Sequence, residues 1–195
     1  MEKPKDYKEI SSPIELLNYM SANINYGFLG KSGKIYNNPN SNEWKNNWYS
    51  ECVVQDAEGI LDTKHGTCWD QVELERNWFQ ENKYEYKTIF IWFEVDKSLP
   101  THTFLIFKLN NKYYWFEHSF EKYKGIHEFF NEYELIKYVK NKQFEYAIEN
   151  CGATKDDYKF IKCYEYNKPN KNIKVKDYIN HVTKGKCIDE NSYKS

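Results

Sequence analysis

One stretch, Thr101 to Phe120, constrains the fold more than any other. Two β-branched and aromatic runs, Thr101 to Leu109 and Lys112 to Phe120, flank the pair Asn110-Asn111. Asparagine tolerates the left-handed backbone that a two-residue turn demands, so the stretch predicts an antiparallel hairpin. With that loop, Leu109 faces Lys112, Phe104 faces Glu117 and Thr103 faces His118. Side chains alternate across a strand, so His102, Phe104, Ile106, Trp115 and Glu117 share one face. Glu117 becomes the diagonal neighbour of His102, and His118 points to the other face. A three-residue loop would reverse the assignment. An acid flanked by Trp115, Phe116 and Phe120 needs a partner if it is buried, and His102 is in reach.

The order of elements sets the fold class. Ser12 and Pro13 open a helix continued by Leu16, Leu17 and Met20. Gly27 to Trp44, rich in Gly, Asn, Pro and Ser, reads as a long irregular loop. A second helix is expected from Glu51 to Leu61, and a third from Cys68 through Val72, Leu74, Trp78 and Phe79. Lys87 to Val95 then reads as a buried strand, ahead of the hairpin. Ile126 to Val139 has helical spacing, Tyr158 to Tyr166 alternates like a strand, and Val175 to Val182 fits a short last helix. Helices first, then mostly antiparallel strands, then mixed elements predict an α+β fold. The length of 195 residues suits a single domain over 1–195, with a core at about 50–120, an N-terminal helix and a C-terminal mixed extension.

Composition removes several classes of partner. The net charge is −1 and Arg76 is the only arginine, so neither nucleic acid nor phosphate recognition by arginine forks is expected. No uncharged apolar run approaches the roughly 20 residues that span a bilayer, and Met1 to Asp6 shows no apolar signal region, so no membrane is expected. The five cysteines are odd in number and widely spaced, which suits a reducing cytoplasm better than a disulfide framework. His65 and Cys68 form an HxxC, but no second pair stands at ligand spacing, so no metal site is expected.

The chemistry concentrates in Lys64-His65-Gly66-Thr67-Cys68-Trp69-Asp70-Gln71. Thr67 can cap a helix, Asp70 sits at the third helical position, and Cys68 is the first helical residue. A helix start lowers a thiol pKa and enriches the nucleophilic thiolate. The alternative is a small buried apolar cysteine. A nucleophilic cysteine needs a base and a group to orient it, and His102 and Glu117 are the candidates.

The block Gln55-Asp56-Ala57-Glu58-Gly59-Ile60-Leu61, with Lys64 to Asp70, resembles the cysteine signature of transglutaminase-like proteins in the papain-like cysteine enzyme superfamily. The strand opening at His102 and the acid at Glu117 are similar to that family's His and Asp pair. The resemblance implies a papain/transglutaminase-like core, with the nucleophile helix packed against an antiparallel sheet. It also implies a triad of Cys68, His102 and Glu117, with Glu117 in place of the usual Asp. The Cys68 backbone N–H would be one oxyanion donor. Trp48, Tyr49, Gln55 and Tyr26 are candidates for the second, and Trp48 is preferred because the family often uses an aromatic there. The function expected is cysteine-dependent acyl transfer, as a peptidase or amidase on a protein or peptide substrate without cofactor. Protein-glutamine transglutamination and a non-catalytic binding module are the alternatives.

Overall fold

The computed structural model describes residues 6–95 and 99–188, so the N-terminal run Met1 to Lys5 lies outside the described residues. The protein is mixed α+β. In chain order the elements are α1 (Pro13–Asn23), β1 (Asn25–Tyr26), β2 (Phe28–Gly30), β3 (Ile35–Tyr36), α2 (Asn42–Glu51), β4 (Cys52–Val54), α3 (Ala57–Thr63) and β5 (His65–Gly66). Then follow α4 (Cys68–Glu81), β6 (Glu85–Phe93), β7 (His102–Leu109), β8 (Lys112–Glu117), β9 (Gly125–Phe129) and α5 (Glu132–Cys151). The last are β10 (Ile161–Glu165), β11 (Ile173–Lys174), α6 (Val175–Val182) and β12 (Lys186–Ile188). Among the described residues, no helix is long and apolar enough to cross a membrane.

The main sheet is antiparallel throughout, in the order β12-β10-β6-β7-β8-β9. Its two faces carry different cores. On one, Leu105, Phe107 and Phe116 pack with Val72, Leu74, Trp78 and Phe79 of α4 and Leu16, Leu17 and Met20 of α1. On the other, Ile89, Ile91, Phe104, Ile106 and Trp115 pack with Leu135, Ile136, Val139 and Ala147 of α5. A small antiparallel sheet, β11-β4-β2-β3, joins α6 and the Trp69 end of α4 in a third cluster. β1 and β5 form a two-stranded parallel pair.

The β7–β8 hairpin has the expected register. Leu109 pairs with Lys112 and Leu105 with Phe116, and both turn residues have positive φ, 51° at Asn110 and 59° at Asn111. Those angles fit a two-residue turn whose twist matches that of its strands.

Three expectations fail. The expected loop from Gly27 to Trp44 contains the β2–β3 hairpin, turned at Gly33 (φ 84°), and the start of α2, capped by Ser41. The helix α2 carries few apolar positions beyond Trp44 and Trp48, so its period was faint. The helix expected over Glu51–Leu61 is instead β4 followed by α3. Val53 and Val54 suit a strand, and Asp56 caps α3 by accepting from the Gly59 N–H at 3.0 Å. Of the stretch Ile126 to Val139, residues up to Phe129 pair as β9 with the free edge of β8. Asn131 then caps α5, which runs on to Cys151 because Gln143 and Ala147 continue its buried side.

The turn yields a direct test. Asn111→Gly should leave stability unchanged or raised. Asn111→Val, with a β-branched side chain in the left-handed region, should lose about 1–2 kcal/mol and roughly 3–6 °C of melting temperature. A valine variant that melts with the wild type would contradict the turn.

Candidate functional site

Cys68 is the first residue of α4 and is half-buried. Thr67 is the N-cap, and its capping box with Asp70 closes. Asp70 Oδ2 accepts from the Thr67 N–H and hydroxyl, both at 2.7 Å, and Oδ1 accepts from the Gln55 N–H at 2.7 Å. Burial pushes the Asp70 carboxyl up to about 6 against those three bonds. Glycine is required at position 66, where a Cβ would stand 2.9 Å from the Asp70 Cβ and 3.3 Å from the Gln71 Cγ. The helix start is therefore packed tightly onto the strand before it.

Two bonds tie this helix start to β7. The Thr103 hydroxyl donates to the Cys68 carbonyl at 2.8 Å, and the Trp69 indole N–H donates to the Thr101 hydroxyl at 3.0 Å. They bracket His102. That histidine faces the α5 side with Phe104, whereas α4 packs on the opposite side. Cys68 can meet it because His102 is the first residue of β7, where the helix end can pass the end of the sheet.

His102 Nε2 lies 2.8 Å from Glu117 Oε2, and the Cys68 side chain is close enough to act on the charge of the same imidazole. An ionised carboxylate only accepts, so Nε2 carries the hydrogen and Nδ1 is left for the thiol. Both members of the pair are almost wholly buried, 4% and 2% exposed. Burial disfavours the charged imidazole. The Glu117 carboxylate and the Cys68 side chain outweigh it and hold His102 up to about 10. Burial likewise works against the Glu117 charge, but the His102 charge and the hydrogen bonds hold it below the usual range. Besides His102, Glu117 accepts from the Trp115 indole (3.1 Å), the Ser119 hydroxyl (3.1 Å) and the Phe120 N–H (2.7 Å). The long side chain of this glutamate is thus fully partnered. Chemically, the arrangement can withdraw a thiol proton onto Nδ1 and stabilise the resulting imidazolium.

The secondary site residues separate. Trp48 stacks on Trp44 (centroids 5.7 Å apart) and meets Trp69 edge-on at 5.2 Å, one ring from the cysteine's neighbour. Gln55, expected as an oxyanion donor, is buried and donates from Nε2 to the His65 carbonyl (2.9 Å), while its Oε1 accepts from Thr63. A buried amide must be satisfied, and these bonds make it a support for the loop ahead of Cys68. Tyr49 is 65% exposed on α2. Tyr26 pairs with Gly66 through β1 and β5 and lies within electrostatic reach of Cys68, Asp70, Tyr146 and Glu117.

Several groups escaped the sequence reading. His118 is buried on the α4 side, with Nδ1 2.6 Å from Gln71 Oε1. Glu75, two helical turns beyond Cys68, is buried with Oε2 unpartnered; burial, then the Glu117 charge, push its carboxyl well above the usual range. Only the pairing across α4 could have exposed these roles. Arg76 is committed internally, with Nε 3.0 Å from Glu73 and the guanidinium over the Tyr166 ring. Among the described residues, no group of three His, Cys, Asp or Glu side chains could hold a metal ion.

The His102–Glu117 pair predicts a pH signature. A histidine pKa raised above its unfolded value of about 6.5 gives stability that is complete below that pH and lost as pH climbs through about 10. A lowered carboxylate gives stability present above its unfolded value of about 4.3 and lost in acid. The urea-midpoint difference between wild type and Glu117→Gln should therefore be greatest at about pH 5–6.5 and shrink steadily towards pH 10. A difference that is flat from pH 6 to 10 would refute the charged pair.

Compared with protein-family models, with curated proteins and with solved structures, the chain gives no match in any of the three.

Proposed function

We propose that the protein is a cysteine-dependent acyl-transfer enzyme with a Cys68–His102–Glu117 triad, acting as a peptidase or amidase. One observation carries the reading: the buried imidazole of His102 is held at Nε2 by Glu117 at 2.8 Å while it lies within electrostatic reach of the Cys68 side chain. A thiol, a base and an orienting acid in series are the parts that nucleophilic catalysis needs. The helix opened by the cysteine and packed on an antiparallel sheet is in keeping with a papain/transglutaminase-like core.

In the proposed cycle, His102 Nδ1 takes the Cys68 proton and the thiolate attacks the carbonyl carbon of a peptide or carboxamide. The carbonyl oxygen gains the negative charge and meets the Cys68 backbone N–H at the positive end of α4. The C–N bond breaks as the imidazolium gives its proton to the leaving amine. His102 then takes a proton from water, the hydroxide attacks the thioester carbonyl, and the acid leaves as Cys68 regains its proton. Glu117 keeps the ring oriented and offsets its charge throughout. The free cysteines of the described residues suit a reducing cytoplasm as the place of action.

Alkylation tests the reading. An unperturbed thiol is only a few per cent thiolate at pH 7. A neighbouring base that takes the proton of an attacking thiol gains roughly tenfold, once the lower nucleophilicity of such thiolates is allowed for. Iodoacetamide should thus label Cys68 about tenfold faster than an unstructured thiol, and His102→Gln should remove the advantage. Cys68→Ala should abolish amide hydrolysis. Amide products formed with added primary amine would move the assignment to transglutamination. Ordinary labelling, with no activity lost in Cys68→Ala, would leave a binding module.

A further inference from the structure

The residue after the acid, His118, lies just past the end of β8, faces Gln71 of α4 and is 4% exposed. Its Nδ1 stands 2.6 Å from Gln71 Oε1, and Gln71 Nε2 donates to the Gly66 carbonyl at 2.7 Å. A carbonyl only accepts, so the Gln71 nitrogen must be the end at Gly66. Its oxygen must then face His118, and His118 must carry its hydrogen on Nδ1. The relay has one sense only. It ends two residues before Cys68, at a glycine so close to Gln71 that a Cβ would stand 3.3 Å from Cγ. The tie is short and leaves little slack.

We infer that His118 is a positioning residue: through Gln71 and Gly66 it fixes the loop that sets Cys68 against His102. The inference rests on the proposed role of Cys68 as nucleophile. The last residue of β8 and the one that follows it then do two jobs on opposite faces. Glu117 holds the imidazole on the α5 side, and His118 holds the nucleophile loop on the α4 side. Thr103, which follows the base His102, repeats the device by bonding the Cys68 carbonyl. The registers of β7 and β8 therefore set base, acid and thiol together. His118 stays neutral in this role, because burial lowers its pKa to about 4 and the ammonium of Lys124 adds to the effect.

Three substitutions test the inference through the pH–rate profile of Cys68 alkylation on folded protein. His118→Phe keeps the bulk and removes the donor. It should slow labelling at pH 7 roughly tenfold and move the profile towards that of an ordinary thiol. His118→Asn places an amide N–H near the old Nδ1 and should restore the rate to within about twofold. His118→Gln carries its N–H one bond further out and should remain slow. The asparagine and glutamine variants keep the test decisive if the phenylalanine variant does not fold. A purely structural role would change melting temperature while leaving all the profiles at wild type, and that result would overturn the inference alone. Wild-type labelling no faster than that of an unstructured thiol would instead overturn the enzyme reading, and this inference with it.

Discussion

The buried pair of His102 and Glu117 is the constraint around which this end of the molecule is arranged. A carboxylate and an imidazolium taken from water each lose several kcal/mol of hydration, and their mutual attraction recovers it only if the remaining lone pairs are satisfied. Glu117 has no lone pair to spare for solvent at 2% exposure. The protein answers with donors from its own strand and the turn beyond: the Trp115 indole, the Ser119 hydroxyl and the Phe120 N–H. All lie within three residues of the acid, so the local chain of β8 supplies the solvation that burial removes. The tight turn after Glu117 follows from that need.

Strand alternation then divides the labour. The acid and base face α5, and their immediate successors, His118 and Thr103, face α4. This lets one sheet hold a charged pair on one side and a helix start on the other without either intruding. It also explains why the helix must arrive at the end of β7. In the middle of the sheet the backbone would stand between thiol and imidazole; at His102, the first residue of the strand, it does not. The ties at Thr101 and Thr103 hold the helix end in that place.

Much of this geometry was legible because it depends on local rules. Asn110-Asn111 fixed the hairpin register, and register with alternation paired His102 with Glu117 and turned His118 away. Thr67 and Asp70 announced the start of α4. What stayed hidden depends on pairings between distant segments. β4 is a strand because β2 and β11 flank it, and β9 is a strand because β8 offers an unpaired edge. Neither neighbour is visible from the local pattern, where Ile126, Phe129 and Phe130 imitate a helix. Gln143 concealed the length of α5 for another reason. A polar residue sits on the buried side there because its amide donates to the Pro100 carbonyl, two residues before His102. Gln55 misled in the same way: its polarity serves the loop ahead of Cys68 rather than a ligand.

The aromatic richness of the chain has its explanation around the same helix start. Rings run in contact from Tyr26 to Trp44, Trp48 and Trp69, and from Trp69 to Tyr178 at 4.4 Å and Phe90 at 6.2 Å. They join β1, α2, α4, α6 and the main sheet, elements that share few backbone hydrogen bonds. Offset and edge-on pairs add about 0.5–1.5 kcal/mol each beyond the area they bury, and their geometry resists sliding. The chain beyond Phe120 is thereby drawn into the site. Tyr178 of α6 stacks on the residue next to Cys68, and Tyr146 of α5 meets Phe120, whose ring in turn meets His102 edge-on. A first helical turn held only by its cap would fray. This one is clasped by rings on one side and by the Thr101, Thr103 and Gln71 bonds on the other, so Cys68 is held at the end of β7 that carries His102, an imidazole whose own position is fixed by Glu117.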